Sequence, residues 1–194
     1  MKNFLIDLKE YIKYLFYDDS EICFFNENKN SFEYLKYYLN RKINKKKILL
    51  FTFEKIYFPN YNLRILHLRT NIFRELFFLT SKKRYIYSTT PDLDNSFFKK
   101  SKFFKTKYIY LQHSSISLIK GYRNTAFKNF DAIQVINKFQ YNEAKFIEKK
   151  FQKKIRIFKS KYRFLENLPM INLSNNLNQK YDFMIAPTWG TNFF

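Results

Sequence analysis

Two histidines, His67 and His113, are the only side chains in this chain whose ordinary pKa lies near neutrality. His113 has the better setting for chemistry. A short apolar run, Tyr108-Ile109-Tyr110-Leu111, ends in Gln112-His113-Ser114-Ser115. An imidazole among hydroxyls just past a strand is placed to act as a general base at a pH near its own pKa of ~6.5. His67 lies inside Ile65-Leu66-His67-Leu68, where a histidine satisfied by packing is expected. Gln112, Ser114 and Ser115 are the residues expected to touch a substrate beside His113.

Other chemistries are poorly supported. The two glycines, Gly121 and Gly190, leave no G-x-G-x-x-G fingerprint and no P-loop. No H-E-x-x-H and no His/Cys cluster suggests zinc, and no nucleophile elbow is present. The single Cys23 excludes an intrachain disulfide, and its run Ile22-Cys23-Phe24-Phe25 suits a small buried hydrophobe. The reading therefore calls for no cofactor and no metal.

The elements that must position His113 follow from periodicity. Apolar runs predict strands near 21–25, 48–53, 85–88, 107–112, 132–136 and 154–158, with a weaker one at 64–68. Helical stripes fall between them. Phe4, Leu5, Leu8, Tyr11, Ile12, Leu15 and Phe16 predict a helix packed on the domain, with an interfacial membrane helix as the alternative. Asn30 or Ser31 is expected to cap a helix carrying Phe32, Leu35, Leu39 and Ile43. Further helices are expected over 71–79, briefly over 97–104, and over 138–151 with Phe139, Phe146, Ile147 and Phe151 facing inward. Strands alternating with helices imply an α/β fold: a Rossmann-like, mostly parallel sheet flanked by helices. Ligands of such sheets bind beyond the carboxyl ends of the strands, where His113 would stand.

The totals bound the rest. The chain has 194 residues, 46% hydrophobic and 22% aromatic, enough for a sizeable core. The formal charge of +20, from 36 Lys+Arg against 16 Asp+Glu, attracts polyanions such as nucleic acid, anionic lipid or phosphorylated substrates. A bias toward residues with AT-rich codons explains much of the same composition. No signal peptide is legible, and no apolar stretch approaches the ~20 residues of a membrane span, so the cytoplasm is the expected compartment. Residues 1–173 read as one domain and 174–180 as a polar linker. Tyr181 to Phe194 starts a fresh strand, which reads as a second domain cut off at its beginning.

Three segments carry a family resemblance. Tyr108 to His113 with Ser114-Ser115-Ile116 resembles the strand-then-histidine motif of the CDP-glycerol glycerophosphotransferase family, the polymerases and primases of teichoic-acid-type polymers. Phe130 to Ile136 with the Phe139-Gln140 helix opening resembles the next strand and helix of that family, and Ala186-Pro187-Thr188-Trp189 is similar to the opening of its second domain. Ser114 stands where the family has glycine, and Ser115-Ile116 where it has Thr-Pro. The resemblance implies a GT-B fold, with this chain supplying its N-terminal, acceptor-side half. It implies that His113 takes the proton of an acceptor hydroxyl attacking a CDP-alditol, and that Thr188 and Trp189 lie on the donor side. The implied partners are a CDP-alditol, a lipid-linked or polymeric acceptor and an anionic membrane surface met from its cytoplasmic side. Other readings are a GT-B transferase using a nucleotide sugar and a basic module that binds nucleic acid without catalysis. No helix-turn-helix, zinc finger or RNP pattern supports the last.

Overall fold

The computed structural model describes residues 2–42, 47–58, 63–95 and 97–160. Among them lie helices α1 (Lys2–Tyr17), α2 (Lys29–Lys42), α3 (Asn71–Thr80) and α4 (Lys138–Lys150). The strands are β1 (Ile22–Asn26), β2 (Ile48–Thr52), β3 (Leu63–His67), β4 (Tyr85–Ser88), β5 (Lys107–Tyr110), β6 (Ala132–Val135) and β7 (Arg156–Lys159). They form one sheet in the order β3-β2-β1-β4-β5-β6-β7, and every pairing is parallel. The fold is α/β and Rossmann-like, as the alternating pattern implies. Thr188, Trp189, the 174–180 linker and the segment from 181 onward lie outside the described residues.

β1 and β2 are buried along their whole length, which is why both read as unbroken apolar runs. Alternate residues serve opposite faces. Cys23, Phe25, Leu49 and Phe51 join a core under α1, α3 and α4, whereas Ile22, Phe24, Ile48 and Leu50 meet Phe32, Leu35 and Leu39 of α2. Phe25 is ringed by Phe51, Phe53, Phe78, Phe97 and Phe98, with centroids 5.0–6.5 Å away. The Cys23 thiol lies in this core, and burial pushes its pKa up to about 12.

Four expectations need correction. α1 forms, but its buried residues are Asp7, Tyr11 and Tyr14, while Leu5, Leu8, Ile12, Leu15 and Phe16 of the expected core stripe are exposed. Asp7 is the reason. Its carboxylate accepts from the backbone N–H of Arg69 (2.8 Å) and Thr70 (2.7 Å), the Thr70 hydroxyl (2.9 Å) and the Arg69 guanidinium (3.2 Å). It thus serves the start of α3 and fixes which face of α1 turns inward. On α4, Gln140, Ala144 and Ile147 are buried, and Phe139 and Phe146 are exposed. α2 starts at Lys29, ahead of the expected caps, and is capped by Asn28, whose side chain accepts from Ser31 N–H at 2.9 Å while the Ser31 hydroxyl accepts from Asn28 N–H at 3.3 Å. Residues 97–104 form no helix. Their backbone finds partners in side chains: Lys100 N–H donates to Asp94 and Ser101 N–H to the Tyr108 hydroxyl.

Candidate functional site

The sheet order reverses between β1 and β4, because the chain builds outward from β1 to β3 and then returns to add β4 through β7 on the other side. Such a switch point opens a crevice beyond the carboxyl ends of the two central strands. Asn26 and Glu27 leave β1 there, and Ser88, Thr89 and Thr90 leave β4. A cavity of about 290 Å³ occupies the position, lined by Glu27, Thr90, Asp92, Asn95 and, from the β5–β6 connection, Arg123. The Thr90 hydroxyl donates to Glu27 at 3.0 Å across it. Asp92 and Asp94 hold left-handed backbone, φ 63° and 77°, on the same loop.

His113 stands on the next strand, beside this switch point, three residues past the end of β5. Three elements converge on its ring. Tyr34 of α2 meets it edge-on at 5.6 Å. The Thr89 backbone, directly after β4, bonds it. The hydroxyl of Tyr110 stands 3.4 Å from Nδ1. Burial lowers the His113 pKa from its ordinary value, with the Thr89 bond opposing, so the imidazole is neutral at pH 7.

Tyr110 is fully buried, and desolvation first, then Tyr122, holds its phenol pKa well above 10, so it stays protonated. Its hydroxyl lies 2.9 Å from Gln112 Oε1 and 3.0 Å from the Tyr122 hydroxyl. The amide oxygen only accepts, so Tyr110 donates to Gln112. The Thr89 bond favours the charged ring, so an imidazole N–H donates to that backbone carbonyl, and in the neutral ring the other nitrogen is an acceptor.

The loop that carries His113 is pinned to α4. Gln140 Nε2 donates to the carbonyls of Ser114 (3.3 Å) and Ile116 (2.8 Å). Glu143 accepts from Leu118 N–H at 2.8 Å and from the Ser117 hydroxyl. Gly121 closes the loop against this anchor, since a Cβ there would lie 2.8 Å from both the Ser117 carbonyl oxygen and the Ile116 side chain.

The residues singled out in the sequence occupy different roles in space. Gln112 is buried and spends its amide on Tyr110 and on Ile116 O, 3.5 Å away. Ser114 is half-buried and Ser115 is exposed. The hydroxyl oxygens of Ser114 and Thr89 are both buried without a hydrogen-bond partner among the described residues. One belongs to the residue after His113 and the other to the residue whose backbone bonds its ring, and buried polar groups of this kind are where a polar ligand has most to offer. His67 bonds the Phe53 carbonyl at 3.1 Å, in keeping with a structural histidine. Thr89, Tyr34 and Tyr110 join the site without having been expected there. The only sequence signal for Thr89 is the polar Thr-Thr-Pro end of β4, opposite the end of β5 in the parallel register Ser88↔Tyr110. Among the described residues, no three His, Cys, Asp or Glu side chains group as metal ligands would.

Fold and site together define a Rossmann-like α/β domain with a neutral histidine beside its switch-point crevice. Comparison with protein-family models, with curated proteins and with solved structures found no match to this chain.

Proposed function

We propose that this chain is the acceptor-side domain of a GT-B glycerophosphotransferase-like enzyme, which moves an alditol phosphate from a CDP-activated donor to a hydroxyl of a membrane-linked surface polymer. The observation that carries the reading is His113. It is neutral, is held by Tyr110 and Thr89, and stands at the carboxyl end of β5 beside the switch point. In the reaction the acceptor oxygen forms a bond to the donor's β-phosphorus. The bond from that phosphorus to the bridging oxygen breaks, CMP leaves, and the acceptor proton passes to His113. The Thr89 and Ser114 hydroxyls and Arg123 supply groups able to bond acceptor hydroxyl or phosphate oxygens. In this reading Thr188 and Trp189 belong to the donor side. The +20 charge favours a phosphate-rich acceptor and an anionic membrane surface. Among the described residues no helix is long and apolar enough to cross a membrane. The attachment proposed is peripheral, on the cytoplasmic side.

The test is turnover by the complete enzyme with CDP-glycerol, CDP-ribitol and UDP-sugars, reading CMP or UDP release, with His113→Gln alongside. CMP release that His113→Gln abolishes supports the reading. UDP release from a sugar donor would replace it with a nucleotide-sugar transferase. CMP release by residues 1–194 alone would overturn the two-domain argument.

A further inference from the structure

The outer surface of the α1/α3 layer has a chemistry the crevice does not use. Passing around α1 at 3.6 residues per turn, the buried Asp7, Tyr11 and Tyr14 give way to exposed Leu15, Leu8, Ile12 and Leu5. Exposed Lys9, Lys2 and Lys13 follow in an unbroken row along the far margin of that stripe. α3 lies alongside, with Phe4 and Tyr11 against Phe73 and Tyr14 against Phe77. It adds Ile72, 60% exposed, and Leu76 to the same outer layer.

A second segment reaches this layer independently. The stretch Lys99-Lys100-Ser101-Lys102-Phe103-Phe104-Lys105 is tied to the end of α3. The Ser101 hydroxyl donates to the Leu79 carbonyl at 2.9 Å, and the Thr106 hydroxyl to the Ser81 carbonyl at 3.0 Å. α1 ends at the same place, where Lys83 binds Asp18. Phe103 is 75% exposed and Phe104 37%, set among exposed Lys82, Lys102 and Lys105. The acids nearby are few. Glu10 is paired with Lys13, Asp94 accepts from Lys100 N–H, and Glu75 lines the hollow between α3 and this stretch.

We infer that this face is a docking surface for an anionic lipid bilayer, with the α1 stripe and Phe103–Phe104 entering the headgroup region and the surrounding lysines meeting lipid phosphates. An apolar stripe with lysines along its margin lets the alkyl stems lie on the apolar surface while the ammonium groups reach anions. Two aromatic rings held out on a lysine-rich loop repeat that arrangement on a different element. A second copy of the chain fits less well, because it brings the same lysine rows to a molecule already at +20. The inference rests on the proposed function in calling for an anionic membrane surface and names the face that meets it; binding is read without turnover, so the two can fail separately.

The test is co-sedimentation of the 194-residue chain with vesicles of phosphatidylcholine, alone and with about one third phosphatidylglycerol. The chain is expected to bind the mixed vesicles and not the zwitterionic ones. Phe103→Ser/Phe104→Ser and Leu5→Ser/Ile12→Ser change exposed positions and should keep the thermal midpoint while weakening binding at least about tenfold each. Phe103→Trp should shift its emission to the blue on the mixed vesicles and be quenched by brominated lipid. Failure of the unaltered chain to bind, or variants that bind as well as it does, would overturn the inference. So would a dimer that Leu5→Ser/Ile12→Ser dissolves, which would assign the face to a second copy. Tighter binding to duplex DNA than to the mixed vesicles, lost in the same variants, would overturn it too.

Discussion

The hydroxyl of Tyr110 stands 3.4 Å from Nδ1 of His113 and 2.9 Å from Gln112 Oε1, so one buried phenol ties the imidazole to the amide beside it. Tyr110→Phe removes the hydroxyl and leaves Gln112 Oε1 without its donor, at a cost of about 1–3 kcal/mol. The imidazole then keeps its bond to the Thr89 backbone and loses the one to the phenol. Nitrogen-15 spectra of the imidazole are expected to show one dominant tautomer in the unaltered chain and a different tautomer balance in Tyr110→Phe.

Under the proposed function, His113→Gln is expected to lower turnover by about 10²–10⁴, the usual contribution of a positioned base. The thermal midpoint should fall by no more than the loss of one or two hydrogen bonds, about 0.5–1.5 kcal/mol each. His67→Gln should do the opposite, because its bond to Phe53 O lies in the packing of β3. A His113→Gln enzyme with near-normal turnover would remove His113 from the chemistry.

Both histidines have pKa values lowered by desolvation, so the folded chain prefers them neutral. The unfolded chain takes up these protons near pH ~6.5 and the folded chain only at lower pH. Between those points the unfolded state binds more protons, so stability rises with pH and is lost as pH falls. Denaturation midpoints at pH 7.5, 6.5 and 5.5 should decrease in that order. The decrease should flatten in a His67→Gln/His113→Gln variant.

Asp7→Ala leaves two backbone N–H groups at the start of α3 and part of the Arg69 guanidinium without their acceptor. Breaking a buried, hydrogen-bonded ion pair costs roughly 3–5 kcal/mol. Urea denaturation is the measurement. A loss below about 1 kcal/mol would mean that α1 is not held through this carboxylate.

Gly121→Ala places a methyl group 2.8 Å from the Ser117 carbonyl oxygen, on a loop whose other end carries His113. Overpacking of this kind typically costs about 1–3 kcal/mol. Under the proposed function turnover should fall although no group in the crevice has changed, and Gly121→Ser should behave the same way.

How much of this was legible in the sequence depended on where each group finds its partner. The strands were legible because each is a short apolar run whose neighbours cover both faces, as Ile48 to Thr52 shows. The inward face of α1 was not. Hydropathy assigns the core to Leu5, Leu8, Tyr11 and Ile12, but of these only Tyr11 turns inward, held by Thr80, and Asp7 joins it because Thr70, far along the chain, receives it. Gln140 displaces Phe139 on α4 in the same way, by holding the carbonyls of Ser114 and Ile116. The position of His113 at a strand tip could be read from an apolar run followed by a polar group. Its partners could not, since Thr89 and Tyr34 come from β4 and α2.

The all-parallel order also governs how the chain assembles. No two neighbouring strands can be joined by a tight turn, and the central pair is among the most distant in sequence, with Ile22 of β1 beside Tyr85 of β4. Until β4 arrives, β1 presents an open edge bearing Cys23 and Phe25, a ready template for pairing with another chain. Loop closure on this scale must precede the contacts that reward it, so folding is slow and passes through species with that edge uncovered. During synthesis β1, β2 and β3 leave the ribosome first and wait on the segment that completes the crevice. The same strand reversal that creates a place for a ligand therefore makes the nascent chain dependent on protection while that place is still half-built.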